Sequence, residues 1–140
     1  ERDRSLTFTL AQQVRAILNQ RLVKTLCQAC AHRAQLGKAL EPTQQEMLGL
    51  PEMQEVRLRN PSGCDLCNRT GIGGRTLLRD ALPINLGPSQ RNGIYEALMS
   101  NVNNIIHEPG VTVHTRRDGL VDLVKSGLVD PRSAINYLEN

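Results

Sequence analysis

At 140 residues, of which 39% are hydrophobic, the chain is long enough for one domain or for two small subdomains sharing a core, but its apolar share is low for a well-packed globule. Phe8, Tyr95 and Tyr137 are its only aromatics, so the core must come from Leu, Val, Ile and Ala, and such a core gains from a cross-link or a metal. The formal charge of +3 is too weak to argue for nucleic acid without a local cluster, and no stretch approaches the roughly 20 apolar residues that cross a bilayer.

The opening "ERDRSLTFTL" lacks the charged-then-apolar layout of a signal peptide. The expectation is an intracellular piece in a reducing compartment, where paired cysteines hold metal more often than they form disulfides. From Leu10 to Leu26, apolar residues fall at Leu10, Val14, Ile17, Leu18, Leu22 and Leu26. That spacing of three and four predicts an amphipathic helix delivering the first cysteine pair at its end. Residues 31–42 are mixed and read as loop. "TQQE" at Thr43–Glu46 matches a capping box and predicts a short helix to about Gly49, stopped by Pro51.

"EVRLRN" alternates Val56 and Leu58 with Arg57 and Arg59, the pattern of a half-buried strand. "RTLLRDALPI" predicts a second strand ended by Pro83 and Gly87. Ser89 is the expected N-cap of a helix carrying Ile94, Leu98, Val102, Ile105 and Ile106, broken by "EPG" at 108–110. A further helix starts at about Thr115 with Leu120, Leu123 and Val124 inward and Gly127 at its C-terminal cap. Asp130-Pro131 opens a last helix with Ile135 and Leu138. The fold class is therefore α+β: a small four-cysteine β element between an N-terminal amphipathic helix and a C-terminal helical subdomain. The expected divisions are residues 1–26, 27–87 and 88–140.

The four cysteines form two matched pairs, Cys27-x-x-Cys30 and Cys64-x-x-Cys67. A Cys-x-x-Cys turn aims two thiolates at one ion, and two such turns complete the tetrahedron that Zn²⁺ prefers. The 33 residues between the pairs are no obstacle, because loop closure grows only logarithmically in cost. Gly63 and Gly71 supply the backbone freedom that tight turns need. Redox pairing and coincidental buried thiols are the duller alternatives, and His32 is a candidate substitute ligand. Neither pair has a His or carboxylate placed to suggest an open coordination position, so the expected site is closed and structural. Arg57, Arg59, Arg69, Arg75 and Arg79, opposed by Asp65 and Asp80, surround the second pair and would offset a formally negative centre. The same arginines leave open a stand-alone zinc-ribbon nucleic-acid binder, although no aromatics lie nearby to stack on bases.

"TGIGGRT" (Thr70–Thr76) lacks the Gly-Lys-Ser/Thr of a P-loop and reads as a turn. His107 and His114 do not form His-Glu-x-x-His. No local Ser-His-Asp or Cys-His spacing marks a catalytic site.

"NQRLVKTLCQAC", "EPTQQE", "GCDLCNRTGIGGRT" and "RRDGLVDLVKSGLVDPRSAINYL", in that order, resemble the C-terminal part of the type II secretion and type IV pilus assembly ATPases. The resemblance implies a zinc module held by Cys27, Cys30, Cys64 and Cys67, with Gly71, Gly74 and Arg75 as a hairpin signature and Asp118-Gly119-Leu120 in the C-terminal helices. Ile72, Leu77 and Arg79-Asp80 depart from the family's usual residues. It further implies a parent that binds ATP and Mg²⁺, assembles as a hexamer and drives an inner-membrane platform protein from the cytoplasmic side. This chain carries neither a Walker A nor a Walker B motif and is not expected to hydrolyse ATP alone.

Overall fold

In the computed structural model, which describes residues 4–83, 91, 95 and 114–139, the N-terminal helix is real but short. Helix α1 (Arg4–Gln13) buries only Ala11, and Ala16–Leu26 is strand β1. The helix expected to continue to Leu26 is therefore corrected to a strand. Its three-and-four spacing does not mark one buried face: Ile17, Leu18 and Leu22 are exposed, while Leu26 at its end and Val23, off that stripe, are buried. A β-branched residue suits a strand, and a long pairing partner, β4 (Ile72–Pro83), supplies the backbone hydrogen bonds that outweigh the local pattern. Asn19 donates to Asp80 at 3.1 Å, and Gly73 lies against the Leu26 carbonyl, so the pair runs antiparallel.

The segment expected to be loop contains strand β2 (His32–Gln35), followed by a 3-10 turn at Leu36–Lys38. Strand β3 (Glu55–Leu58) pairs antiparallel with β2, placing Ala34 opposite Val56 and His32 opposite Leu58. Val56 and Leu58 face inward, as the alternation predicts. Helix α2 (Pro42–Leu48) falls between the two strands in chain order. Its cap sits two residues earlier than expected: the Gln44 side chain accepts from the Glu41 backbone N–H at 3.2 Å, and Pro42 takes the first helical position.

Helix α3 (Arg116–Lys125) starts at Thr115, whose hydroxyl accepts from Asp118 N–H while the Asp118 carboxylate accepts from Thr115 N–H. It ends in a paired-bond C-terminal motif: Leu128 N–H donates to Leu123 and Gly127 N–H to Val124. Gly127, at φ 69°, supplies the left-handed turn. Helix α4 (Pro131–Glu139) follows, with the Asp130 carboxylate accepting from Arg132 N–H at 2.9 Å. Of the helix expected from Ser89 only Arg91 and Tyr95 are described, both helical; its other residues, the break at 108–110 and His107 lie outside the described residues.

Contacts divide the chain into two units, Glu1–Asn19 with Asp80–His114, and Gln20–Arg79 with Thr115–Asn140. In the first, Arg91 donates to the carbonyls of Ala11 and Gln12, Phe8 meets Tyr95 edge-on with ring centres 5.9 Å apart, and Ala81 pairs with His114. The second holds an aliphatic core in which Val23, Leu36, Leu48, Leu120, Val124 and Ile135 are almost completely buried. Among the described residues no helix is long and apolar enough to cross a membrane.

Candidate metal centre

Both cysteine turns belong to the second unit. The first leaves the end of β1. Cys27 N–H donates to the Gly71 carbonyl at 3.0 Å, and Ala31 N–H closes the turn back on the Cys27 carbonyl at 2.9 Å. The turn is held from outside by β3. Arg57 donates to the Gln28 carbonyl at 2.9 Å, to the Ala31 carbonyl at 3.1 Å and to the Gln28 side chain. Gln28 in turn donates to the Gly127 carbonyl at 3.2 Å, tying the turn to the α3–α4 linker.

The second turn is built mainly from its own backbone. Cys64 leads into a 3-10 turn at Asp65–Cys67, after which Asn68, Arg69 and Gly71 all take positive φ. That path aims N–H groups inward: Cys64 N and Gly71 N donate to the Cys67 sulfur at 3.2 and 3.1 Å. At Gly63, φ 58°, a Cβ would collide with the backbone of Arg69, so the turn closes only around glycine. Arg59, just past the end of β3 and two residues from Arg57, donates Nε to the Thr70 carbonyl at 2.8 Å. Its backbone N–H is held by the Asp130 carboxylate at 2.7 Å.

These contacts bring the four sulfurs together. Cys27–Cys64 and Cys64–Cys67 are separated by 3.8 Å and Cys30–Cys67 by 3.9 Å, with all four within 4.8 Å of one another. A tetrahedron with metal–sulfur bonds of about 2.3 Å has edges of about 3.8 Å, so the donor set fits one such ion. All four are free thiols. Among the described residues this is the one cluster of potential metal ligands, and His32 is outside it.

The electrostatics of the cluster favour a cation. Backbone N–H groups from Cys64 and Gly71 stabilise the Cys67 thiolate against burial and bring its pKa down to about 6. Burial and the three neighbouring sulfurs push Cys30 up to about 12. Four thiolates at this spacing repel one another unless a positive charge sits among them. The arginines act differently from the expectation that all five surround the second pair. Arg57 serves the first turn, Arg59 the second, and Arg69 pairs with Asp65 at 2.7 Å, while Arg75 and Arg79 are exposed on β4. The clamping role of Arg57 and Arg59 was missed, although their alternation with the inward Val56 and Leu58 turns both away from the core, Arg57 on β3 and Arg59 just past its end.

The family described as "Type II/IV secretion system protein" matches residues 4–132. The chain is 33% identical over 124 residues to a protein of Aeromonas hydrophila named "Type II secretion system protein E", covering 84% of this chain and 22% of that protein. A protein of the same name from Dickeya dadantii is 30% identical over 122 residues, 86% of this chain and 22% of its own. "Type II secretion system ATPase E" of Vibrio cholerae is 25% identical over 127 residues, with 86% and 22% covered. The chain thus spans about a fifth of the length of these relatives. With a match running through both cysteine turns and into the last helix, this chain belongs to the type II/IV secretion system protein family.

Proposed function

We propose that the chain is the zinc-stabilised C-terminal region of a secretion or type IV pilus motor ATPase, serving as a structural and partner-contact module. Cys27, Cys30, Cys64 and Cys67 hold one Zn²⁺, which supplies a closed, four-sulfur cross-link between turns distant in sequence. The observation that carries this reading is the gathering of those four sulfurs within 4.8 Å of one another in a chain matching the family over residues 4–132. Structural zinc sites of this kind contribute about 10–16 kcal/mol in small peptides, which suits a core whose buried residues are all aliphatic.

In this reading residues 1–26 lead out of the parent's ATPase core, 27–87 form the zinc module and 88–140 the helical subdomain. ATP and Mg²⁺ belong to the parent, a hexamer on the cytoplasmic side of the inner membrane. The cross-linked turns offer neighbouring subunits and the platform protein a surface with little ordering entropy left to lose. Arg57 and Arg69, which a nucleic-acid binder would need, are engaged with backbone carbonyls and with Asp65.

The test is a binding assay between the metal-loaded chain and the cytoplasmic part of the platform protein, with ATP turnover measured alongside. Saturable binding that disappears in a Cys64→Ser, Cys67→Ser variant, with no turnover by the chain alone, supports the module. Equal binding by the metal-free variant, or ATP turnover by the chain, overturns it.

A further inference from the structure

An open groove of about 390 Å³ is lined by the second cysteine turn, the first residues of β4 and Lys24 of β1. Leu66, between Cys64 and Cys67, borders it and is 84% exposed, more than any other large apolar residue described. Half-buried Ile72 and the exposed backbone of Gly73 and Gly74 lie along it, and Arg75 of β4 joins Lys24 as its second cation. We propose that this groove docks an extended peptide segment in which an apolar side chain is flanked by carboxylates. The proposal rests on the partner-contact reading above and names the chemistry of the partner's segment.

The turn that carries Leu66 is fixed by its own backbone, with Cys67 N–H and Arg69 N–H both donating to the Cys64 carbonyl at 3.2 and 2.9 Å. Covering Leu66 therefore removes apolar surface from water at little cost in ordering. The floor is open to a second backbone. A Cβ at Gly74 would meet nothing nearer than Thr25 Oγ1 at 3.7 Å, and its φ is not left-handed, so neither packing nor conformation calls for glycine there. Such a glycine in a strand leaves room for another chain to approach closely, and among the described strands β4 pairs only with β1. The polar ends are uncommitted: the Lys24 ammonium, the Arg75 guanidinium and the Asn68 amide make no hydrogen bond or ion pair among the described residues. No carboxylate lines the groove, and Asp65, next to Leu66, is held by Arg69 at 2.7 Å. Cys67 also borders it, but its sulfur takes N–H groups from Cys64 and Gly71, and neither cation is bonded to it. Both cations are left to meet the carboxylates of a ligand. A nucleic acid would find no aromatic side chain among the lining residues to stack on.

The probe is a phage-displayed library of random dodecapeptides selected on the metal-loaded chain, with the enriched sequences synthesised and titrated at about 0.15 M salt. The expected peptides carry an apolar residue beside two or more Asp or Glu, bind with a Kd of about 0.1 mM or tighter, and shift the amides of Leu66, Asn68 and Gly74. With metal content unchanged, Lys24→Glu, Arg75→Glu and Leu66→Ser each weaken binding about tenfold. Met53→Ser, which alters an exposed apolar residue elsewhere, leaves it unchanged. No enrichment, enrichment of basic peptides, an affinity that none of the three variants changes, or tighter binding of phosphatidylglycerol vesicles or of an oligonucleotide to the same residues overturns the proposal. The selection does not involve the platform protein. A chain that takes such peptides in the groove but ignores that protein contradicts the earlier assignment alone, and one that binds it equally well with Leu66→Ser and Arg75→Glu contradicts this inference alone.

Discussion

The two cysteine turns reach the same geometry by different routes. The second is encoded locally: four positive φ angles, two of them at glycines, and two inward N–H groups aim Cys64 and Cys67 with contacts drawn largely from residues 60–71. The first has no such device. Cys27 and Cys30 are placed by Arg57 on β3, by the Gly71 carbonyl and by the α3–α4 linker through Gln28. Half of the site is thus written in a twelve-residue stretch, and half depends on the fold of the whole unit.

The largest expected effect falls on both turns together. Cys67→Ser removes the sulfur that accepts two backbone N–H groups, so metal content should drop to near zero and the cooperative thermal melt of the cysteine-bearing unit should vanish. Loss of most of a stabilisation of about 10–16 kcal/mol leaves no room for partial folding. A retained melt would show that the unit stands without its ion.

Gly63→Ala separates the routes. Its left-handed φ costs a non-glycine residue about 1–3 kcal/mol, and the collision with Arg69 adds to that. Urea denaturation should show a loss of about 3 kcal/mol, with amide shifts concentrated at 60–71. Arg57→Met is the reciprocal change. It should cost about 1–3 kcal/mol, speed zinc transfer to a chelator, and raise hydrogen exchange at Cys30 and Ala31 while sparing Gly71. Equal disturbance of both turns by either variant would erase the distinction.

The smallest effect concerns Asp130, which links Arg59, just past β3, to the start of α4. Burial, with the residue only 4% exposed, pushes its carboxyl up. The Arg132 guanidinium and the N–H groups of Arg59 and Arg132 outweigh that and hold it below its ordinary value. A carboxylate lowered in the folded state stabilises fully above its unfolded value of about 3.9 and loses that contribution as pH falls through the folded value. Asp130→Asn should therefore cost about 1 kcal/mol at neutral pH, with the gap in Tm between the two proteins closing in acid. A gap that persists unchanged to low pH would remove the carboxylate from the account.

What the sequence disclosed follows the same division. The second turn, β3, Thr115, Gly127 and Asp130 were legible because short-range signals (spacing, alternation, caps) decide them. The helical reading of Leu10–Leu26 held only to Gln13, because β1 owes its form to β4, more than forty positions away, and most of its apolar stripe (Ile17, Leu18 and Leu22) stays exposed. Strand β2 went unseen for the same reason, since His32–Gln35 has no apolar alternation and exists through its register with β3. The sulfurs were identifiable by pattern, whereas the arginines that hold their turns needed the fold.

The central claim is that four sulfurs enclose one divalent ion. X-ray absorption at the zinc edge, on native reduced protein of measured metal content, tests it most directly. The account predicts one zinc per chain with four sulfur neighbours at about 2.3 Å. A chain that folds without bound metal, or a shell containing nitrogen or oxygen in place of one of the sulfurs, would contradict it.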